Sequence, residues 1–276
     1  MPPKIAYALV GDPIDQSPSP AMHNAAFAEL NMNAEYRLRP TKPEDKELLL
    51  AEIRHGKWAG LNITTPLKTE FLDAVELREH AAKAGAVNTL WRYGSEIHGA
   101  LTDIDGIIKP LEELGYAGES SALIIGAGGA ARAAAVALDS IGATINVVAR
   151  NPDKARDFLD SIKPQFPGRT ATLSDKKIVS DIMSSSKLII QATPVGSNGE
   201  EHDLDWSKVQ SGTIAFDMIY QPIETPFLKE AVRADCQIIE GWKMLLEQGV
   251  AALKIWTGRQ PPRETMREAL LKEIRS

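Results

Sequence analysis

The chain has 276 residues, of which 43% are hydrophobic and 25% charged, with a formal net charge of −6 and a single cysteine. An acidic balance of this kind argues against a nucleic-acid surface, which needs clustered basic charge. The lone Cys236 excludes an internal disulfide and a multi-cysteine zinc site, and it fits a reducing compartment.

The five histidines show no paired ligand spacing, so no metal is expected. The N-terminal apolar run "IAYALV", about six residues, is too short for a signal-peptide core or a membrane span. A cytoplasmic protein is expected. Monomer and homodimer both fit the sequence, and no nucleic-acid or membrane partner is expected.

Strand-like and helix-like segments alternate along the chain. In the first hundred residues "IAYALVG", "AEYRLRP", "WAGLNI" and "AVNTLWRY" read as strands, with helical stretches at "SPAMHNAAFAEL", "PEDKELLLAEIRHG" and "TEFLDAVELREHAAKAG". Such alternation predicts parallel pairing through right-handed crossovers. Within it, "NITTPLK" places Asn62, Thr64 and Lys68 between a strand and an expected helix, with Pro66 near that helix's first turn.

"IDGIIKPLEELG" reads as a connecting helix, and a second α/β series then begins at "SALIIGAGGAARAAAVALDSIG". The further strands "ATINVVAR", "KLIIQAT" and "TIAFDMI" are continuously apolar, as in a sheet covered on both faces. Two amphipathic helices, "GWKMLLEQGVAALKIWTG" and "RETMREALLKEIRS", close the chain. They are expected to return and cover the first unit, whose sheet otherwise lacks helices for both faces.

"GAGGAARA" follows an apolar strand and opens a helix, the context of a dinucleotide-binding turn. Gly126 permits the tight turn, Gly128 lets the backbone approach a pyrophosphate, and Ala131 allows close helix–strand packing. Ala127, Gly129 and Ala130 complete the turn, whose free N–H groups and helix dipole favour an anion. At the end of the next strand "VVARNPDK" offers Arg150, Asn151 and Lys154, with no carboxylate before Asp153. A guanidinium there suits a 2′-phosphate, so NADP is expected over NAD.

Other polar groups collect at strand ends of the first unit. Ser19 would start a helix well and serves as a cap on the simplest reading; Ser17 has no such structural task. Asn88 lies within an apolar strand, where an amide must find partners. Thr102 and Asp103 follow another strand at the junction of the two units, and Asp103 or Asp105 would also suit a helix cap.

These landmarks, with "GDPIDQSPSPAMHN", "GAVNT", "TDIDG", "QATPVG" and "DMIYQPIETPFL", stand in the order found in shikimate dehydrogenases, and the chain resembles that family from about residue 11 to residue 261. The resemblance implies reversible reduction of 3-dehydroshikimate to shikimate with NADPH. It implies two α/β domains: a mainly parallel substrate-binding and catalytic domain over residues 1–103, completed by helices about 241–276, and a Rossmann-type NADP domain over 104–240. A cleft that opens and closes would follow from that layout.

Carried over position by position, Lys68 and Asp103 match the family's catalytic pair. Ser17, Ser19, Asn62, Thr64, Asn88, Tyr220 and Gln248 match or adjoin substrate positions. Residues Gly126 to Ala131, Arg150, Asn151, Lys154, Thr193, Met218, Gly241 and Glu79 match cofactor positions.

The chemistry fits the set. Hydride transfer to a ketone leaves an alkoxide that a positioned ammonium protonates, and Lys68 has that charge. Asp103 would hold the lysine and bind a hydroxyl. This chain departs from the family's usual pattern at Leu101, at Ala149 and Asn151, and at Gln191. Two other readings remain: a quinate/shikimate dehydrogenase with relaxed choice, and a ligand-sensing homologue without activity.

Overall fold

The computed structural model describes residues 2–276. In chain order its elements are β1 (Ile5–Gly11), α1 (Ser19–Glu29), β2 (Ala34–Pro40), α2 (Lys46–Arg54), β3 (Gly60–Ile63), β4 (Glu76–Leu77), α3 (Glu79–Ala84), β5 (Thr89–Tyr93), β6 (Glu96–Ala100) and α4 (Asp103–Glu113). There follow β7 (Ser121–Ile125), α5 (Gly129–Ser140), β8 (Thr144–Ala149), α6 (Pro152–Ile162), β9 (Pro167–Thr172), α7 (Lys176–Ser185), β10 (Leu188–Gln191), β11 (Ile214–Asp217), α8 (Pro226–Arg233), β12 (Gln237–Ile239), α9 (Gly241–Thr257) and α10 (Arg263–Ile274). The chain divides into two compact units, one made of the residues up to Asp103 with Leu246–Ser276, the other of Ile104–Leu245.

The first unit carries a mixed six-stranded sheet in the order β2-β1-β3-β5-β6-β4. β1 pairs in parallel with β2 and β3, and β4 with β6, whereas β3–β5 and β5–β6 are antiparallel. The expectation of parallel pairing therefore fails in the middle of this sheet. The cause is local: Tyr93 pairs with Glu96 across a Gly94-Ser95 turn, with Gly94 at φ +62°, so β5 and β6 form a hairpin rather than a crossover.

A second correction concerns "TEFLDAV". No α-helix forms there. A 3₁₀ turn spans Leu67–Thr69, and the chain then runs through turns into β4 on the sheet edge, where Arg78 N–H reaches the Gly99 carbonyl at 2.9 Å. Leu67 and Phe71 are fully buried, so packing and edge pairing override a good helical composition. The helical stretch shrinks to α3.

Helix α10 packs on α1, and the sequence folds α9 close against the same unit at two glycines. A Cβ on Gly60 would overlap the Trp256 indole, whose Nε1 donates to the Leu90 carbonyl at 3.2 Å; a Cβ on Gly249 would overlap the Met22 side chain. That seating fixes the register of Gln248.

The second unit is an all-parallel sheet in the order β12-β11-β10-β7-β8-β9. β7, β10 and β11 are almost wholly buried, as continuous apolar runs require. No helix among the described residues is long and apolar enough to cross a membrane.

Candidate active site

In the first unit, Lys68 and Asp103 meet. Lys68 Nζ donates to Asp103 Oδ2 at 2.5 Å, with the lysine side chain 23% exposed and the carboxylate 3% exposed. Backbone bonds set the lysine. Leu67 N–H donates to the Thr64 carbonyl, and the Lys68 carbonyl accepts from Val87 N–H at 2.8 Å, one residue before Asn88. Asp103 opens α4 and turns its carboxylate to the lysine rather than to a cap.

Asn88 sits just before β5 rather than inside it, its backbone bonded to Ile63 N–H and the Ala100 carbonyl. Its buried amide accepts from Thr102 N–H at 2.6 Å and donates to Gln248 Oε1 at 3.1 Å. Asn62 is engaged at both ends. It accepts from the Tyr36 hydroxyl at 2.8 Å and donates to the Asn88 carbonyl and Thr89 Oγ1. Tyr36 and Thr89, which sequence reasoning misses, are both buried; burial raises the Tyr36 phenol well above its usual range. No local pattern marks either residue, because each bonds Asn62, a residue distant in the chain.

The serines exchange their expected tasks. Helix α1 begins at Ser19 itself and has no side-chain cap, and Ser17 Oγ accepts from Ser19 N–H at 3.3 Å while its hydroxyl donates to Ser19 Oγ at 3.1 Å. Ser17 thus does have a structural task, and the pair stands as two linked hydroxyls. Thr64 is half-buried beside the 3₁₀ turn, its N–H on the Val10 carbonyl.

In the second unit the glycine turn joins β7 to α5. Gly126 is at φ +123°, and a Cβ there would come within 2.8 Å of the Ala192 carbonyl oxygen. Gly128 precedes the first helical residue Gly129; both are exposed, and nothing beyond the adjoining backbone lies within 4 Å of a Cβ built on either. Ala131 is fully buried against the sheet. Ala127 and Ala130 are half-buried. Accessible N–H groups at a helix start, with no side chain in the way, fit a pyrophosphate.

Arg150 and Lys154 stand exposed after β8, with no ion-pair partner among the described residues. They fit a 2′-phosphate. Asn151 caps α6: its Oδ1 accepts from the N–H groups of Asp153 and Lys154. Thr193 is half-buried, its N–H on Gln191 Oε1 at 2.7 Å, and the buried Gln191 also donates to the Thr193 and Val195 carbonyls.

Asp217, at the end of β11, accepts from Ile219 N–H at 3.0 Å and Thr225 Oγ1 at 2.5 Å, framing the loop that holds Met218 and Tyr220. Burial pushes its carboxyl up to about 6 against those two bonds. Gly241 presses on that loop; a Cβ there would overlap the Ile219 carbonyl. Burial also raises the Tyr220 hydroxyl. Glu79 is exposed at the first position of α3, with no bond to the other named residues.

Two family descriptions match the chain: the shikimate dehydrogenase substrate binding domain over residues 9–90, and the Shikimate 5'-dehydrogenase C-terminal domain over residues 241–271. The NADP(+) shikimate dehydrogenase of Methanothermobacter thermautotrophicus is 37% identical over 267 residues, covering 95% of this chain and 94% of that protein. The chain belongs to the shikimate dehydrogenase family. Among solved structures, shikimate 5-dehydrogenase of Thermus thermophilus in complex with NADP(H) and shikimate superposes with a TM-score of 0.86 at 30% identity, covering 98% of this chain and 99% of that one. Quinate dehydrogenase of Corynebacterium glutamicum in complex with NAD gives 0.88 at 29% identity, covering 98% and 100%. The family fold is thus shared by relatives of two substrate preferences.

Proposed function

We propose that the chain reduces 3-dehydroshikimate to shikimate reversibly with NADP(H), and that Lys68 and Asp103 are its catalytic pair. The observation that carries the reading is the 2.5 Å contact between those two side chains, brought together from positions 35 apart in sequence.

Bound NADPH would supply the hydride, two electrons and one hydrogen, to the ketone carbon. The ketone oxygen then carries developing negative charge, and Lys68 stabilises it and delivers one of its protons, becoming neutral until solvent restores it. In the oxidative direction Lys68 accepts the hydroxyl proton. A positioned general acid or base of this kind is typically worth roughly 10²–10⁴-fold in rate. Asp103 holds the ammonium and offers a substrate hydroxyl an acceptor. Ser17, Ser19, Thr64, Asn88 and Gln248 supply fixed hydrogen-bond partners for a polyhydroxylated ring. Tyr220 belongs with them as a substrate contact.

The exposed glycine turn would hold the pyrophosphate, with Arg150, Asn151 and Lys154 at the adenosine phosphate and Thr193, Met218 and Gly241 along the cofactor; Glu79 is the outlying member of that set. Residues up to Asp103 with the last two helices form the substrate-binding domain on this reading, and the unit built on β7–β12 is the NADP domain. The acidic chain and its one half-exposed cysteine suit a cytoplasmic enzyme of small molecules.

One assay decides the assignment: NADPH oxidation with 3-dehydroshikimate, then shikimate and quinate oxidation with NADP and NAD. Highest kcat/KM for shikimate with NADP is expected. A preference for quinate or for NAD would move the chain to the relaxed branch, and tight binding without turnover would make it a sensor.

A further inference from the structure

The buried hydrogen bonds around Asn88 fix which end of each amide faces which way. A backbone N–H can only donate, so the Asn88 atom that receives Thr102 N–H at 2.6 Å is its oxygen. That oxygen also takes the hydroxyls of Thr102 at 3.1 Å and Thr89 at 3.2 Å, which leaves it no lone pair for a ligand. The Asn88 nitrogen then donates to Gln248, which must turn its oxygen inward at 3.1 Å. Gln248 is half-buried, and its Nε2 makes no hydrogen bond to the described residues.

Asn62 locks the same arrangement from below. Its nitrogen faces the Asn88 carbonyl, which can only accept, at 3.2 Å, and Thr89 Oγ1 at 3.1 Å. Its oxygen therefore faces Tyr36, whose hydroxyl must donate. Thr89, fully buried, spans Asn62, Asn88 and Thr102, whose hydroxyl lies 3.0 Å away. The hydrogen bonds run in one sense, from Tyr36 through Asn62 and Thr89 to the Asn88 oxygen. What remains for a ligand is the N–H groups of Asn88 and Gln248, with one lone pair left on the inward-turned Gln248 oxygen.

We infer that Tyr36, Thr89 and Thr102 are positioning residues that turn the N–H groups of Asn88 and Gln248 toward the ligand and hold their oxygens inward. The face favours oxygens that offer lone pairs, hydroxyl or ketone alike, over groups that can only donate. A bound polyol must send the hydrogens of the hydroxyls facing it elsewhere, with Asp103 the carboxylate at hand. The inference rests on Asn88 and Gln248 facing the substrate, as in the proposed function.

Two sets of variants test it, read by calorimetric titration and steady-state kinetics with shikimate and, in parallel, quinate. Gln248→Glu keeps the inward oxygen and converts the outward donor into an acceptor; affinity should fall by about tenfold or more. Thr89→Val removes the shared hydroxyl at constant shape and should raise KM by about tenfold with kcat changed far less, while Thr89→Ser restores KM.

A structural role alone would lower Tm and the active fraction while leaving Kd of the folded protein unchanged. That outcome for Thr89→Val, or unaltered affinity in Gln248→Glu, overturns the inference. An unsubstituted chain that binds quinate and not shikimate sinks the substrate assignment but leaves the same variants to be read on quinate. Binding of neither sinks both.

Discussion

In the first unit the polar groups of the site are side chains, buried or half-buried, and most are bonded to one another across distant segments of the chain. In the second they are backbone amides of a glycine turn and exposed cations after β8, with the buried side chains of Gln191, Asp217 and Thr225 beneath the loops. The first arrangement gives orientation: every amide has one way to face. The second leaves a surface open to a large anion. A ring with several hydroxyls needs the former, and a pyrophosphate, recognised by charge and N–H groups, needs only the latter.

Acid is expected to act differently on the two units, through His23 in the first and Asp217 in the second. The His23 side chain is buried in an aromatic cluster with Tyr36 and Trp256, its Nδ1 without a partner among the described residues, and burial pushes its imidazole down to about 3. Its contribution to stability is complete above the ordinary value of 6.5 and is lost as pH falls toward 3, because the unfolded chain takes the proton first. At 1.36 kcal/mol for each pH unit this is at most about 5 kcal/mol. His23→Leu should flatten the acid side of the stability curve.

Asp217 in the second unit has the opposite sign. Its carboxyl, raised from 3.8 to about 6, favours the folded state at low pH, and that contribution disappears as pH rises through about 6. The magnitude is about 3 kcal/mol, and Asp217→Asn should remove the slope. Between pH 4 and 6 the first unit should therefore lose hydrogen-exchange protection before the second. Simultaneous loss would erase the contrast.

Smaller effects sharpen it. Gly249→Ala, which forces a methyl onto Met22, should cost about 1–3 kcal/mol by thermal unfolding and raise KM for shikimate through Gln248, leaving NADP binding alone. Arg150→Ala should do the reverse: shikimate binding holds while the kcat/KM preference for NADP over NAD falls about tenfold. If both variants affected both ligands equally, the division of labour would be wrong.

The same contrast explains what can be read from the sequence. The glycine turn is local, complete within six residues, so its strand–turn–helix frame is visible in the sequence alone. Lys68, Asp103, Asn88 and Gln248 are recognisable through the ordered landmarks of the family. Their connections are not, because Tyr36, Thr89 and Thr102 bond residues far from them in the chain. The helix expected at Thr69–Val75 fails for a related reason: its fate is set by Glu76–Leu77 pairing with His98–Gly99, a partner that local propensity cannot see. The task of Ser17 escapes the sequence because a hydroxyl taking an N–H two residues on leaves no periodic signal.

Catalysis on this reading turns on a lysine that gives a proton. Single-turnover oxidation of NADPH by 3-dehydroshikimate, compared between the unsubstituted enzyme and Lys68→Met, measures that step. The expected result is a rate lower by roughly 10²–10⁴-fold with 3-dehydroshikimate still bound. A rate within a few-fold of the unsubstituted enzyme would contradict it.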